Sequence, residues 1–182
     1  MPKICDNTSV GVIVRRGDTT KGGAGEILMI ERYDYPESFT LPSGHGDGLA
    51  LEAAAKKETE EETGIEIMEN KLLWKGTINN QCRREGGDHH IWEVFEAINW
   101  AGEPNADSDA KNFFWALPAR LRQLANRTEY FMEKYNIPYD RVGDLTKAIF
   151  GDPKEQKTDV EWRGDNGLEP VWYYILKQVK IL

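Results

Sequence analysis

Glu58, Glu61 and Glu62 lie three and four residues apart in the stretch KKETEEETG, residues 56–64. On an α-helix that spacing places them on one face. Glu58 and Glu62 are then an i,i+4 like-charge pair, which costs about 0.2–0.5 kcal/mol if nothing offsets it. Glu61 adds to the repulsion. All three fall in the C-terminal half of the helix, where the macrodipole disfavours anions. Local electrostatics therefore argues against the pattern. One reading is a solvated acidic face, eased by Lys56, Lys57 and the favourable order of Glu52 and Lys56. The other is that the carboxylates gather a hard divalent cation. Mg²⁺ takes oxygen ligands, keeps several waters and is often shared with substrate phosphates.

The elements around these residues bear on the choice. The helix is expected over residues 51–63, with Gly64 where a left-handed stop belongs. The glycine-rich GHGDG, residues 44–48, precedes it, and SFTL, between Pro36 and Pro42, is a short extended piece. Glycines let a backbone approach a ligand closely, so a carbonyl of this loop can face a cation held by the helix. Upstream, residues 8–16 and 26–32 read as strands, being rich in β-branched and aliphatic residues. Residues 65–79 and 90–98 alternate as further strands. FFW starts a short one, and residues 117–135 read as a helix. DRVGDLTKAIF suggests a short helix, residues 151–167 a polar loop, and EPVWYYILKQVKIL a terminal helix, though a strand is also compatible with its composition. Strands, a helix after a glycine loop, more strands and then helices imply a mixed α/β layered domain.

Composition bounds the chemistry. The 182 residues carry 23 Lys plus Arg against 31 Asp plus Glu, a net charge of −8. So acidic a chain has no bulk attraction for nucleic-acid phosphate, and no nucleic-acid partner is expected. Two cysteines, Cys5 and Cys82, without CxxC spacing, imply a reducing compartment and no disulfide framework. MPKICDNTSV lacks the apolar core of a signal peptide, and no apolar run approaches a membrane span. A cytoplasmic protein without a membrane partner is the expectation.

KETEEETGI, residues 57–65, resembles the second half of the Nudix box, G-x5-E-x7-R-E-U-x-E-E-x-G-U, where U is bulky and apolar. Glu58, Glu61, Glu62, Gly64 and Ile65 are in register. SFTLPSG resembles the usual W-x-L-P-G-G lead-in, with Phe39 in the Trp slot. Three departures stand out. Lys57 replaces Arg, keeping charge but losing the planar fork. Thr59 replaces the apolar residue. Leu49 falls where the first box Glu belongs, in a loop one residue short, with Asp47 the nearest carboxylate; Leu49 is expected to be buried and to anchor the helix start by apolar contact. The I-E-R end of the second strand, H-x-W-x-V-F-E-A and a D-x5-W step extend the likeness over residues 8–125. The last 55 or so residues carry no recognisable motif, so the chain reads as one domain over residues 1–182 with a C-terminal extension from about 128.

The resemblance implies a Nudix-type α/β/α sandwich with a mixed central sheet. It implies a MutT-like, Mg²⁺- or Mn²⁺-dependent pyrophosphohydrolase acting on a nucleoside diphosphate derivative or nucleotide. Glu58, Glu61, Glu62 and the Gly44 carbonyl would hold metal, with Lys57 orienting the glutamates. One glutamate, or Asp109 six residues before Trp115, would take a proton; Asp107 is close by, and loop solubility is the plain alternative for both. Arg83, Arg84 and His45 are candidate substrate contacts, weighed against surface arginines and a loop-turn histidine. His89 and His90 should point to opposite faces of a strand, and neither is expected to bind metal. Cys82 reads as a small buried residue, and Tyr33, Tyr35 and Phe39 as core more than base-stacking groups. A homodimer stays open. Two other classes remain: a non-catalytic nucleotide-binding or regulatory module, and a diphosphate isomerase, for which Cys82 and Glu93 are the candidate acid and base.

Overall fold

A computed structural model describes residues 3–17, 25–105 and 112–182. The first expected strand is β1 (Thr8–Ile13), followed after Val14 by the two-residue β2 (Arg15–Arg16). Then come β3 (Glu26–Glu31), β4 (Phe39–Thr40), β5 (Ser43–His45), α1 (Leu51–Thr63), β6 (Glu66–Ile78), β7 (His90–Ala101) and β8 (Asn112–Ala116). The C-terminal third is helical: α2 (Pro118–Tyr135), α3 (Val142–Phe150), α4 (Val160–Gly164) and α5 (Pro170–Gln178).

One sheet runs β5-β1-β7-β6. Its central pair, β1 and β7, is parallel, whereas β5 and β6 join antiparallel at the two edges, so the sheet is mixed. In the second sheet β8 pairs along β3 from Ile27 to Glu31, while β2 and β4 pair with the two ends of β3.

Strand alternation explains the layers. Val10, Val12 and Val14 face one side, where they bury Ala54 and Ala55 of α1 together with Leu28, Ile65, Phe95 and Ala97. Ile13, Met29, Trp92 and Val94 face the other side and meet Leu121 and Leu124 of α2 and Trp172, Ile175 and Leu176 of α5. Each fully buried aliphatic side chain of these two cores is worth about 1.5–3 kcal/mol relative to exposure. The result is the expected α/β/α arrangement around a mixed sheet.

The C-terminal residues are built into these layers. A β-carbon on Gly11 of β1 would lie 2.6 Å from the indole of Trp172, so only glycine leaves room for that ring against the strand. Phe39 and the 167–169 segment exchange backbone hydrogen bonds: Phe39 N–H to the Gly167 carbonyl at 3.0 Å, and Glu169 N–H to the Phe39 carbonyl at 2.8 Å. Terminal helix α5 and short helix α3 lie where the sequence suggests. The expected polar loop over 151–167 is corrected. It contains α4, capped by the Asp159 carboxylate, which accepts from the Glu161 and Trp162 N–H groups. Trp162 is fully buried against Phe131 and Phe150, and its indole N–H donates to the Glu37 carbonyl at 2.6 Å. Among the described residues no helix is long and apolar enough to cross a membrane.

Candidate active site

Helix α1 turns one face to the sheet and the other to a cavity of about 690 Å³. The inward face is Ala54, Ala55, Thr59 and Thr63, all buried. Thr59 occupies the apolar slot of the box without leaving a buried hydroxyl unpaired, because its Oγ1 donates to the Ala55 carbonyl one turn back at 2.8 Å. Gly64 ends the helix at φ 73°, its N–H donating to the Glu60 carbonyl at 2.8 Å, as the left-handed stop requires.

The opposite face carries Glu58, Glu61 and Glu62, all of which line the cavity. Partners of Glu62 and Glu61 offset their repulsion, and Glu58 is placed by packing. Glu62 Oε2 accepts the Ser43 backbone N–H at 2.9 Å, and its Oε1 lies 3.6 Å from the Arg32 guanidinium. Glu58 packs directly on Gly44, so closely that any β-carbon there would overlap its carboxylate. Glu61, the most exposed of the three, pairs with Lys57 Nζ at 3.2 Å, an i,i+4 contact at the surface. Burial pushes the Glu62 carboxyl up to about 7, against the opposing pull of Arg32 and the Ser43 N–H. Burial raises Glu58 as well, Lys57 opposing and Glu61 reinforcing the shift.

Other elements close the cavity. Arg32, at the end of β3, Tyr35, Asn80, Arg83, Arg84, Trp92 and Glu169 all contribute to its wall. Arg32 is the last residue of the I-E-R feature, and that spacing is the signal that could have marked it. Glu169 and Thr146 come from the C-terminal third, where no motif pointed to them. Glu169 Oε2 accepts from Thr40 Oγ1 at 2.8 Å, which holds its carboxylate at the back of the cavity.

The sequence-derived candidates divide as follows. Gly44, His45, Glu58, Glu61, Glu62, Arg83 and Arg84 meet at one cavity. Lys57 reaches it through Glu61. Arg84 is already engaged, since its guanidinium pairs with Asp47, which also holds Lys3 Nζ at 2.9 Å. These two cations keep the Asp47 carboxyl far below the ordinary carboxylate range, and Asp47 faces them rather than the glutamates. Leu49, expected to anchor the helix start by burial, is 47% exposed; Leu51 packs on the core instead. His90, the first residue of β7, is buried, whereas His89 is half-buried and lies just before the strand, so the pair is not displayed on two faces of one strand. Tyr35 and Phe39 are core residues, whereas Tyr33 is exposed. Glu93 pairs with Lys75 at 2.7 Å and does not line the cavity, so the structure does not bring it to Cys82. Asp107 and Asp109 lie outside the described residues.

Comparison with known proteins follows this geometry. The family model described as NUDIX domain matches residues 6–135. A search of the curated proteins finds no match. Among solved structures, the MutT NUDIX hydrolase from Burkholderia pseudomallei is 25% identical, with a TM-score of 0.51, over 63% of this chain and 84% of that one. The mMutator MutT protein from Bacillus halodurans, at 19% identity, superposes with a TM-score of 0.52 over 74% of this chain and 84% of that one. The matched span holds the glycine loop, α1 and every strand of both sheets, and on that basis the chain belongs to the Nudix family.

Proposed function

We propose that the protein is a Mg²⁺-dependent hydrolase that cleaves the diphosphate linkage of a nucleoside diphosphate derivative or nucleotide. The observation that carries this reading is the convergence of Glu58, Glu61 and Glu62 on one cavity beside Gly44. The donor set fits the ion: three carboxylates and a backbone carbonyl are hard oxygen ligands. Glu58, Glu61, Glu62 and the Gly44 carbonyl would hold Mg²⁺ or Mn²⁺. Bound there, the ion would neutralise diphosphate charge and acidify a water.

The chain's own groups supply the rest. Ser43 and Arg32 orient Glu62, and contact with Gly44 fixes Glu58. Arg83, on the cavity wall, suits the phosphate end of a substrate, because guanidinium binds phosphate bidentately. A glutamate takes the proton of the attacking water, a contribution typically of about 10²–10⁴-fold in rate.

The test is a panel of nucleoside diphosphate derivatives and nucleoside triphosphates incubated with Mg²⁺ or Mn²⁺, with phosphate scored after a phosphatase is added. Metal-dependent cleavage of at least one member is expected. Mg²⁺ binding by calorimetry without turnover of any member would instead favour a binding module.

A further inference from the structure

A second set of ligand-bearing residues sits beside the glutamates. Cys5 precedes β1, His45 ends β5, Cys82 lies in the loop between β6 and β7, and His90 opens β7. One ligand atom from each lies within 4.8 Å of those of the other three. We propose that Cys5, His45, Cys82 and His90 bind one Zn²⁺ ion in a closed, four-ligand site that ties the glycine loop to the start of the described chain and the β6–β7 loop. This inference is independent of the hydrolase reading, because none of the four residues is among the carboxylate ligands.

The spacing matches the ion. Zn–S bonds of about 2.3 Å and Zn–N bonds of about 2.05 Å at tetrahedral angles put two sulfurs about 3.8 Å apart and a sulfur and a nitrogen about 3.6 Å apart. The Cys5 and Cys82 Sγ atoms are 3.6 Å apart, and Cys5 Sγ is 3.2 Å from His90 Nε2. A small expansion would admit the ion. The His45 and His90 rings meet edge to face with centroids 5.3 Å apart.

The surroundings supply what such a site needs. His90 Nδ1 lies 3.1 Å from the Asn80 carbonyl, which requires it to donate and leaves the Nε2 lone pair facing the cysteines. His45 Nε2 is buried with no hydrogen-bond partner among the described residues. A buried ring nitrogen without a partner calls for an explanation, and a metal bond is one. Each cysteine sulfur accepts a backbone N–H from two residues later, Asn7 to Cys5 and Arg84 to Cys82, both at 3.4 Å. A β-carbon on Gly87 would overlap Cys82 Sγ, so glycine is what lets the loop close over the sulfurs. The Cys5 N–H also donates to the Glu85 carbonyl at 2.9 Å, holding the two segments together.

Two thiolates and two imidazoles select a borderline-soft ion over Mg²⁺. The two negative charges balance Zn²⁺, and binding releases the two thiol protons. With four protein ligands no position is open for a substrate, so the ion's role is to brace the loop. His45 adjoins Gly44, and a braced His45 holds Gly44 where Glu58 needs it.

The test uses the untagged full chain, purified without chelator. Elemental analysis should find about one Zn per chain. Exchange for Co²⁺ should give a thiolate-to-cobalt charge-transfer band and the intense visible bands of a four-coordinate ion. Carboxylate-bound Co²⁺ gives no such charge-transfer band, so the two metal sites are distinguishable. His45→Ala and Cys82→Ser should weaken Zn²⁺ by more than the roughly 10–100-fold that loss of an outer-shell partner costs, measured by competition with a chromophoric chelator. If either variant fails to fold, the wild-type cobalt spectrum decides alone. The proposal is overturned if reduced wild-type protein retains no Zn²⁺ after incubation and desalting, or if bound Co²⁺ shows no charge-transfer band. It is equally overturned if Cys5 and Cys82 form a disulfide whose reduction restores no Zn²⁺ binding.

Discussion

The α-carbon of Gly44 lies so close against Glu58 that a β-carbon on it would overlap the Glu58 carboxylate. The clash is with the far end of a flexible side chain, so it is relieved by moving Glu58. Gly44→Ala should therefore fold, with a melting temperature close to wild type, while Mg²⁺ affinity and turnover fall at least about tenfold, a loss of some 1.4 kcal/mol. Calorimetric Mg²⁺ titration beside a melting curve checks both halves. Unchanged Mg²⁺ binding would detach Gly44 from the metal site.

Glu62 links the site to pH. Its folded carboxyl is raised to about 7, above the ordinary carboxylate value, because burial penalises the charge. A raised pKa in a folded acid means the native state holds the proton more tightly than the unfolded chain. Its stabilising effect is complete below about pH 4.5 and is lost as pH rises through about 7. In chelator-treated protein, Glu62→Gln should be no less stable than wild type at pH 8, and should lose this group's share of the decline between those pH values. Melting curves across that range test it. A variant that melts clearly lower at pH 8 would make Glu62 a structural residue.

Lys57 tests how the glutamates are held. Its contact with Glu61 is half exposed at 3.2 Å, and surface pairs contribute only about 0–1 kcal/mol to stability. Lys57→Met should leave the melting temperature nearly unchanged but lower turnover. Lys57→Arg should retain or raise turnover, because the guanidinium fork can hold a carboxylate with two bonds. Equal activity in all three proteins would make Lys57 an ordinary surface residue.

The irregular half of the box is braced by ion pairs. Asp47, at φ 49°, is held by Arg84 and Lys3, and Leu49 is exposed. Leu49→Glu should therefore change stability little, within about 0.5 kcal/mol. Asp47→Ala and Arg84→Ala should each lower turnover, and their combination should cost no more than the larger single loss, because both break one contact. Additive losses in that double-mutant cycle would show that the two residues act separately.

Much of this arrangement was legible because it is local. Helix α1 announces itself through its i,i+3,i+4 carboxylates and Gly64, and its predicted bounds match. The strands follow from β-branched runs. Leu49 misled because an apolar side chain does not imply burial. Trp162 was missed because its partners, Phe131, Phe150 and the Glu37 carbonyl, are far off in sequence. No local period could place a five-residue helix on them. Cys5, His45, Cys82 and His90 were each weighed singly and His90 was not expected to bind metal, for the same reason: the fold brings the four together, and no ligand spacing appears along the chain.

The central claim is that the carboxylates of α1 act together through a divalent cation on a diphosphate linkage. The most direct measurement is turnover as a function of Mg²⁺ concentration, on a substrate found in the panel, for wild type, Glu58→Gln and Glu61→Gln. Wild-type turnover should require Mg²⁺, and each variant should lose about 10²-fold or more while keeping its melting temperature. Metal-independent wild-type turnover, or variants as active as wild type, would contradict the account.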